Sequence, residues 1–199
     1  MKPANRHDPL SPAHQRQPSH PDAATFLARH TSLAIGDEDW GDPAAPARLR
    51  LSWYCTTAAP PPALVTSVRA IVLRGDAVLV VREPSGTPYI VPGGRCEPGE
   101  TAEATLRREI LEEVGWTLDA IQPLGVIHLR NLGPSPPGNP YPYPDAFQLV
   151  CQAHAIAHHP EAMVYDEFVA NSTFTPLAEA RLLPLRPGER ALLDVLFAR

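Results

Sequence analysis

The sequence predicts an α/β domain behind a flexible N-terminal tail, on three observations. Residues 64–73 and 77–83 are two β-rich apolar runs about Arg74-Gly75-Asp76, the pattern of a hairpin. Residues 101–114 place Ala102, Leu106, Ile110 and Val114 at intervals of four, the stripe of an amphipathic helix, and Gly115 stands behind it as a C-terminal glycine should. Residues 1–22 hold Pro, His, Gln and Ser with almost no large apolar group, so they cannot bury enough surface to offset their ordering entropy.

The elements follow in order. After the tail, Phe26, Leu27 and Leu33 supply one apolar edge, which predicts a short helix from Asp22 or Ala23 to about Ala34. GDEDWGDPAAPA then reads as a loop. Leu49, Leu51 and Trp53 alternate with Arg48 and Arg50, which predicts a strand, and Pro60 to Pro62 read as a stiff connector. The hairpin comes next. Residues 88–92 predict a short strand stopping at Gly93-Gly94, and the helix over 101–114 follows. Further strands are predicted over 124–130 and 147–157, separated by a proline-rich loop over 133–145 that is too rigid for helix or central strand. An extended stretch near 164–175 and a helix near 187–197 complete the chain. Three regions result: a Pro/His-rich tail over 1–22, an N-terminal extension over 23–62, and a main domain over 63–199.

Composition bounds the function. The 199 residues suffice for one domain plus a tail. A formal net charge of -5 argues against binding nucleic acid by bulk charge. No run of 18 apolar residues is present, which argues against a membrane partner, and no apolar segment follows Lys2 and Arg6 as a secretory signal requires. Cys55, Cys96 and Cys151 are an odd, widely spaced set without a CxxC pair, so a disulfide scaffold or zinc site is not indicated and the cytoplasm is the simplest setting. His7, His14 and His20 in the tail read as solvated residues. His154, His158 and His159 form a small cluster for which no acidic partner is placed by spacing.

The chemistry concentrates in residues 94–116, GRCEPGETAEATLRREILEEVGW. A glycine pair ends a strand, where backbone can approach a phosphate or metal closely. Glu109, Glu112 and Glu113 then fall at i, i+3 and i+4, on one face of the helix whose other face is apolar. Three carboxylates on one stripe repel one another, and a hard divalent cation turns that cost into a site, because Mg²⁺ and Mn²⁺ take oxygen ligands. Taken alone, the triplet also fits an ordinary solvated helix neutralised by Arg107 and Arg108.

The full spacing is more specific. Gly94, Glu100, Arg108, Glu109, Ile110, Glu112, Glu113, Gly115 and Trp116 fit Gly-x5-Glu-x7-Arg-Glu-apolar-x-Glu-Glu-x-Gly-apolar. Here the chain resembles the Nudix hydrolase family. Trp116 departs from the usual aliphatic residue and remains apolar, so it implies changed packing rather than lost chemistry. The resemblance implies a Nudix-type α/β/α sandwich with a mixed β-sheet. It also implies metal-dependent hydrolysis of a nucleoside diphosphate linked to another group X, of ADP-ribose, dinucleotide or nucleotide-sugar type, by water attack on phosphorus. By motif position, Gly94 (through its carbonyl), Glu109, Glu112 and Glu113 are the implied ligands of Mg²⁺, with Mn²⁺ as a substitute. Glu109 and Glu113 are the principal ligands among these, Glu112 is a further ligand or an acid/base group, and Arg108 holds the glutamates through ion pairs, with Glu100. A further acidic residue beyond the box, the general base in some members, points to Asp166 or Glu167. The alternatives are a nucleoside triphosphate pyrophosphohydrolase, an RNA-end processing enzyme that would want a basic track, and a nucleotide-sensing module with the fold but no turnover. The intact glutamate set weighs against the last.

The box does not specify X. Arg69, Arg82 and Arg130, on or at the ends of predicted strands, are candidates to clamp a phosphate, with ordinary surface arginines the competing reading. Tyr89 is placed to line the pocket or to be a half-buried strand aromatic. Trp53 and Tyr54 read as core. The loop NPYPYPDAF, with Tyr141 and Tyr143, is similar to the Pro-aromatic-Pro-aromatic-Pro run of Nudix enzymes acting on NADH. Aromatics held stiff by prolines make a stacking platform for a base, or simply a rigid turn. Family members acting on ADP-ribose often dimerise through an N-terminal extension, which would assign residues 23–59 to a homodimer.

Overall fold

The apolar alternation resolves into nine strands and four helices in the computed structural model, which describes residues 18–41, 46–135, 138–164 and 169–198. In chain order these are α1 (Pro21–Leu27), β1 (Ala34–Trp40), β2 (Ala47–Cys55), β3 (Val65–Arg74), β4 (Ala77–Arg82), β5 (Pro88–Tyr89), β6 (Gly93–Arg95), α2 (Ala102–Val114), β7 (Trp116–Asn131), β8 (Asp145–His158), β9 (Asn171–Pro176), α3 (Leu177–Ala180) and α4 (Pro187–Phe197). No helix among the described residues is long and apolar enough to cross a membrane.

Alternation on β3 and β4 decides the layering, because successive side chains leave opposite faces of a strand. Val68, Ala70, Val72, Leu79 and Val81 pack with Leu106, Ile110 and Val114 of α2. Ile71, Leu73, Val78 and Val80 pack with Leu192 and Leu193 of α4. One sheet therefore lies between two helices, the α/β/α arrangement of the Nudix fold. Each fully buried leucine or isoleucine in these layers contributes about 1.5–3 kcal/mol by leaving water.

The sheet runs β1-β2-β7-β8-β3-β4-β5. It is mixed because β3 and β8 are parallel while the other pairs are antiparallel. On its other edge β3 changes partner: β6 pairs with it at 67–69 and β4 at 73–74. The sheet parts at that point, and the glycine pair lies there. β9 pairs along β4.

Four expectations are corrected. The first helix stops at Leu27, and the Leu33 amide donates to the Trp53 carbonyl at 2.7 Å, which starts β1. The segment read as a loop, GDEDW, is strand because it pairs with β2 from Ala34↔Trp53 to Trp40↔Ala47. Its acids meet basic partners across the ladder, with Arg50 bidentate on Asp37 at 2.8 and 3.0 Å, so pairing overrides a turn-like composition. The strand expected at 124–130 begins directly after Gly115 and spans 16 residues, interrupted by register shifts against β8. The short strand expected over 88–92 is confined to β5, β6 forms at the glycine pair where that strand was expected to stop, and α3 has no counterpart in the sequence reading.

β1 and β2 are part of the same sheet through the β2–β7 pairing. α1 covers it with Ala23 and Phe26 packed on Tyr54, Val126 and Phe147. Most of the predicted tail lies outside the described residues, and its last residues are engaged. The His20 amide donates to Asp145 Oδ2 at 2.7 Å, and Arg130 bonds Ser19 Oγ at 3.0 Å. Asp145 is fully buried, with His128 Nε2 2.8 Å from Oδ1 and Arg130 2.9 Å from Oδ2. Burial alone would raise its pKa. The hydrogen bonds from His128, the His20 amide and Arg130 outweigh that and hold it below the ordinary carboxylate range.

This node joins α1, β7 and β8 around one carboxylate. Asp145→Ala leaves His128 and Arg130 without their counter-charge, and is expected to lower the unfolding free energy by about 3–5 kcal/mol. Urea denaturation checks this; an unchanged midpoint would show that the node holds nothing.

Candidate active site

Local chemistry fixes the helix that carries the glutamates. Thr101 caps α2, its Oγ1 accepting from the Ala104 amide at 3.1 Å. Gly115 ends it in the left-handed conformation, with φ 73°. A Cβ there would stand 3.0 Å from His158 Nε2 and Met163 Cγ, so the histidine cluster closes around the helix end. His158 stacks on Trp116 at 4.7 Å between centroids, and His159 Nδ1 lies 3.2 Å from Glu161.

Arg108 organises the carboxylates. It is bidentate on Glu100 (2.8 and 2.9 Å), reaches Glu109 at 2.9 Å and Glu112 at 3.2 Å, and donates to the Arg95 carbonyl at 3.0 Å. One guanidinium thus clasps the loop over 95–100 to the helix. Glu100 also accepts from the Glu97 amide and Thr105 Oγ1, and Arg108 first among these donors holds its pKa at about 2. Glu113 faces elsewhere. It accepts from the Tyr89 hydroxyl at 2.5 Å and from the Gly93 amide at 2.8 Å.

The glycine pair is a steric requirement. A Cβ on Gly93 (φ 127°) would stand 2.4 Å from the Val68 carbonyl oxygen. On Gly94 it would stand 2.3 Å from Glu109 Oε2, so the Glu109 carboxylate occupies the space a side chain would take.

The sequence candidates therefore separate. Gly94, Arg108, Glu109, Glu112, Glu113 and Tyr89 come together. Among the described residues no three His, Cys, Asp or Glu side chains close around a common point; Glu109 and Glu112 turn to Arg108, and Glu113 to the glycine strand. The donor set is nonetheless all hard oxygen, beside a backbone cradle that only glycine leaves open, which suits Mg²⁺ or Mn²⁺. Asp166 and Glu167 lie outside the described residues.

Arg69 shares the face of Ile71 and Leu73, toward α4. Its Nε donates to Gln148 at 3.0 Å and its NH1 to the Val91 carbonyl at 3.2 Å. Burial pushes its pKa down, and the neighbouring Glu113 and Tyr89 oppose this, which places it beside the glutamate site. Arg82 donates to the Gly86 carbonyl in its own hairpin. Arg130 pairs with the buried Asp145 carboxylate at 2.9 Å, in the node it forms with His128 and the His20 amide. Tyr143 bonds the Gly133 carbonyl at 2.5 Å and closes its loop. Tyr141 is exposed, with the Arg95 guanidinium 5.0 Å from its ring, so this part of the proline loop flanks the site. Trp53 and Tyr54 are core residues.

Sequence reasoning missed Arg95, Gln148 and Glu189. Glu189, in the first turn of α4, is fully buried. Its Oε2 accepts weakly from the Arg186 amide at 3.4 Å, and Oε1 is buried without a hydrogen-bond partner. Burial pushes its carboxyl up to about 7, against the pull of Arg186, the Ile90 amide and Arg69. Nothing in its local sequence marks it, since a glutamate in a first helical turn is ordinary.

The NUDIX domain model matches residues 63–196. The NAD-capped RNA hydrolase NudC of Stutzerimonas stutzeri (strain A1501) is 43% identical over 56 residues, 27% of this chain and 20% of that one. The protein of the same name from Pseudomonas aeruginosa (strain LESB58) is 29% identical over 141 residues, 69% of this chain and 46% of that one. The chain thus spans less than half the length of these curated relatives. A NUDIX hydrolase from Nitrosomonas europaea superposes with a TM-score of 0.51 at 20% identity, over 67% of this chain and 89% of that one, a likeness of fold.

A carboxyl whose pKa is raised on folding stabilises the fold below its unfolded value, and that stabilisation is lost as pH rises through the folded value. For Glu189 the window runs from 4.5 to about 7, worth on the order of 3 kcal/mol. Glu189→Gln is therefore expected to melt above the wild type at pH 8 and level with it near pH 4.5. A lower melting temperature at pH 8 would show that the buried charge is stabilising.

Proposed function

The chain belongs to the NUDIX domain family, and we propose that it is a divalent-metal-dependent hydrolase cleaving the diphosphate of a nucleoside diphosphate linked to another group. The observation that carries this reading is the division of labour among the carboxylates: Glu100, Glu109 and Glu112 on Arg108, and Glu113 on the Gly93 amide.

Glu109, Glu112 and Glu113, with the Gly94 carbonyl, would hold Mg²⁺, for which Mn²⁺ can substitute. When bound, such a cation neutralises the diphosphate and lowers the pKa of a water that attacks phosphorus. The protein's own part is positioning and charge. Arg108 holds Glu109 and Glu112 spaced along one stripe despite their mutual repulsion. The Gly93 amide and the Tyr89 hydroxyl orient Glu113. Glu112, the more open of the Arg108 partners with 42% of its side chain exposed, is the carboxylate placed to exchange a proton with solvent. Tyr141 and Arg95, beside the Arg108 clasp, would contact the group X.

The names of the matched relatives, NAD-capped RNA hydrolases, favour a dinucleotide of NAD type over a nucleoside triphosphate as the first substrate to try. The exposed Tyr141 ring offers a base a flat face.

Incubation with Mg²⁺ and a panel of NADH, ADP-ribose, diadenosine polyphosphates, nucleotide sugars and nucleoside triphosphates tests the reading. Turnover of a dinucleotide or ADP-ribose type substrate, lost in EDTA, is expected. Glu113→Gln should lower it at least about 100-fold with the circular dichroism spectrum unchanged. Pyrophosphate release from triphosphates alone would move the assignment to a triphosphate pyrophosphohydrolase. A ligand-dependent melting shift without turnover would make the protein a sensor.

A further inference from the structure

Five residues stand opposite one another across the sheet: Trp53 on β2, Ile127 on β7, Gln148 on β8, Ser67 on β3 and Arg95 on β6. They share the α4 face. Trp53 and Ile127 pack in the layer of Leu192 and Leu193, while Leu149 and Cys96, the residues next after Gln148 and Arg95, pack toward α2. The row is apolar at its Trp53 end and polar at its Arg95 end. The polar end adjoins the glutamate site, because the Arg95 carbonyl accepts from Arg108 and the Arg95 guanidinium lies 5.0 Å from the Tyr141 ring.

Gln148 and Ser67 are buried, only 3% and 5% exposed. Arg69 Nε donates to Gln148 Oε1 at 3.0 Å. A guanidinium can only donate, so this bond fixes the amide with its oxygen toward Arg69 and its nitrogen away. Among the described residues neither that nitrogen nor Ser67 Oγ has a hydrogen-bond partner. Neither is sealed in: among the described buried and half-buried side chains, Glu189 Oε1 is the one polar atom both shut off from solvent and unpartnered. The Gln148 nitrogen and the Ser67 hydroxyl therefore reach open space from otherwise buried side chains. The residues flanking Gln148 on this face of β8, Ala146 and Val150, are apolar. A donor held in such surroundings without a partner destabilises the fold and calls for an account. An acceptor on a ligand supplies one.

We propose that Gln148 and Ser67 read the ring of the bound nucleotide: they donate to a carbonyl oxygen, keto or carboxamide, of a base or nicotinamide lying on the α4 face of the sheet. This rests on the nucleotide-hydrolase reading above. With its amide oxygen held by Arg69, Gln148 offers donors only, so an exocyclic amine in the same place finds no acceptor. The apolar Ile127 and Val150 beside it favour a neutral ring over a phosphate.

The test is isothermal titration of the full chain in EDTA with four compounds. IMP carries a keto oxygen and nicotinamide mononucleotide a carboxamide; AMP has an amine where IMP has its oxygen; ribose 5-phosphate has no base. At least one of the two carbonyl compounds is expected to bind about tenfold more tightly than both AMP and ribose 5-phosphate. Gln148→Glu keeps an oxygen for Arg69 and replaces the amide nitrogen with a second acceptor. It should weaken the carbonyl compound about tenfold relative to ribose 5-phosphate and strengthen AMP on the same scale, a reversal that a merely structural role would not produce. Ser67→Ala should weaken the carbonyl compound about threefold and leave ribose 5-phosphate unchanged. An unreversed preference in a folded Gln148→Glu overturns the proposal, and so does an equal loss for ribose 5-phosphate, which would make the phosphate the group that is read. If Gln148→Glu does not fold, Ser67→Ala decides: a loss confined to the carbonyl compound upholds the proposal, and no loss overturns it. A wild type that binds none of the four also overturns it. No metal or turnover enters these titrations, so the hydrolase reading stands or falls separately, on the Mg²⁺ panel.

Discussion

The backbone of Gly93 approaches β3 so closely that a Cβ would stand 2.4 Å from the Val68 carbonyl oxygen. The geometry of the site depends on that approach. It lets β6 take the edge of β3 that β4 occupies further along, so the sheet parts where the glycine pair sits. It also presents the Gly93 amide to Glu113 and leaves the Glu109 carboxylate lying where a side chain on residue 94 would be. Any other residue at 93 would push the strand away from β3 and take the glutamate anchor with it.

Two arginines manage the charge this arrangement concentrates. Arg108, on the open side, is shared among three carboxylates and a backbone carbonyl. Its side chain is 25% exposed, so solvent still screens these pairs, and their value lies in orientation more than in stability. Arg69 works under the opposite condition. Packed against Gln148 and the Val91 carbonyl, it carries its charge in the interior, where burial pushes its pKa down. The segment around the glycine pair is bonded to both, to Arg69 through the Val91 carbonyl and to Arg108 through the Arg95 carbonyl.

The N-terminal region shows how composition misleads about architecture. GDEDW has the look of a loop, yet across from it stand Arg48 and Arg50, and the charge pairs make it an edge strand. Its acidic side chains also discourage further strands from adding to that edge. The proline loop was legible as rigid from sequence, and both tyrosines were candidates for a ligand role. Asn139 fixes Tyr141 through paired backbone contacts and Arg95 covers its ring, while the Tyr143 hydroxyl is used by Gly133 to shut the loop. Identical residue types two positions apart thus have different surroundings, which spacing alone does not separate.

Whatever depends on near neighbours in the chain is legible in the sequence. The 3.6-residue period of α2, its Thr101 and Gly115 ends, the hairpin at Arg74-Gly75-Asp76 and the placing of Glu109, Glu112 and Glu113 on one stripe all follow from local backbone geometry. The spacing from Gly94 to Glu113 belongs to the same class, because loop and helix are contiguous. The remainder depends on the packing of segments far apart in the chain. That packing brought Asp145 to His128 and to the His20 amide, 125 residues away in the chain, and it gave Arg130 to that node while Arg69 went to the site. It also carried Glu189 to the back of the glycine strand from a helix whose sequence gives no sign of it. A charged residue's role is set by what lies across the sheet from it, and that depends on strand register and layer packing between segments far apart in the chain.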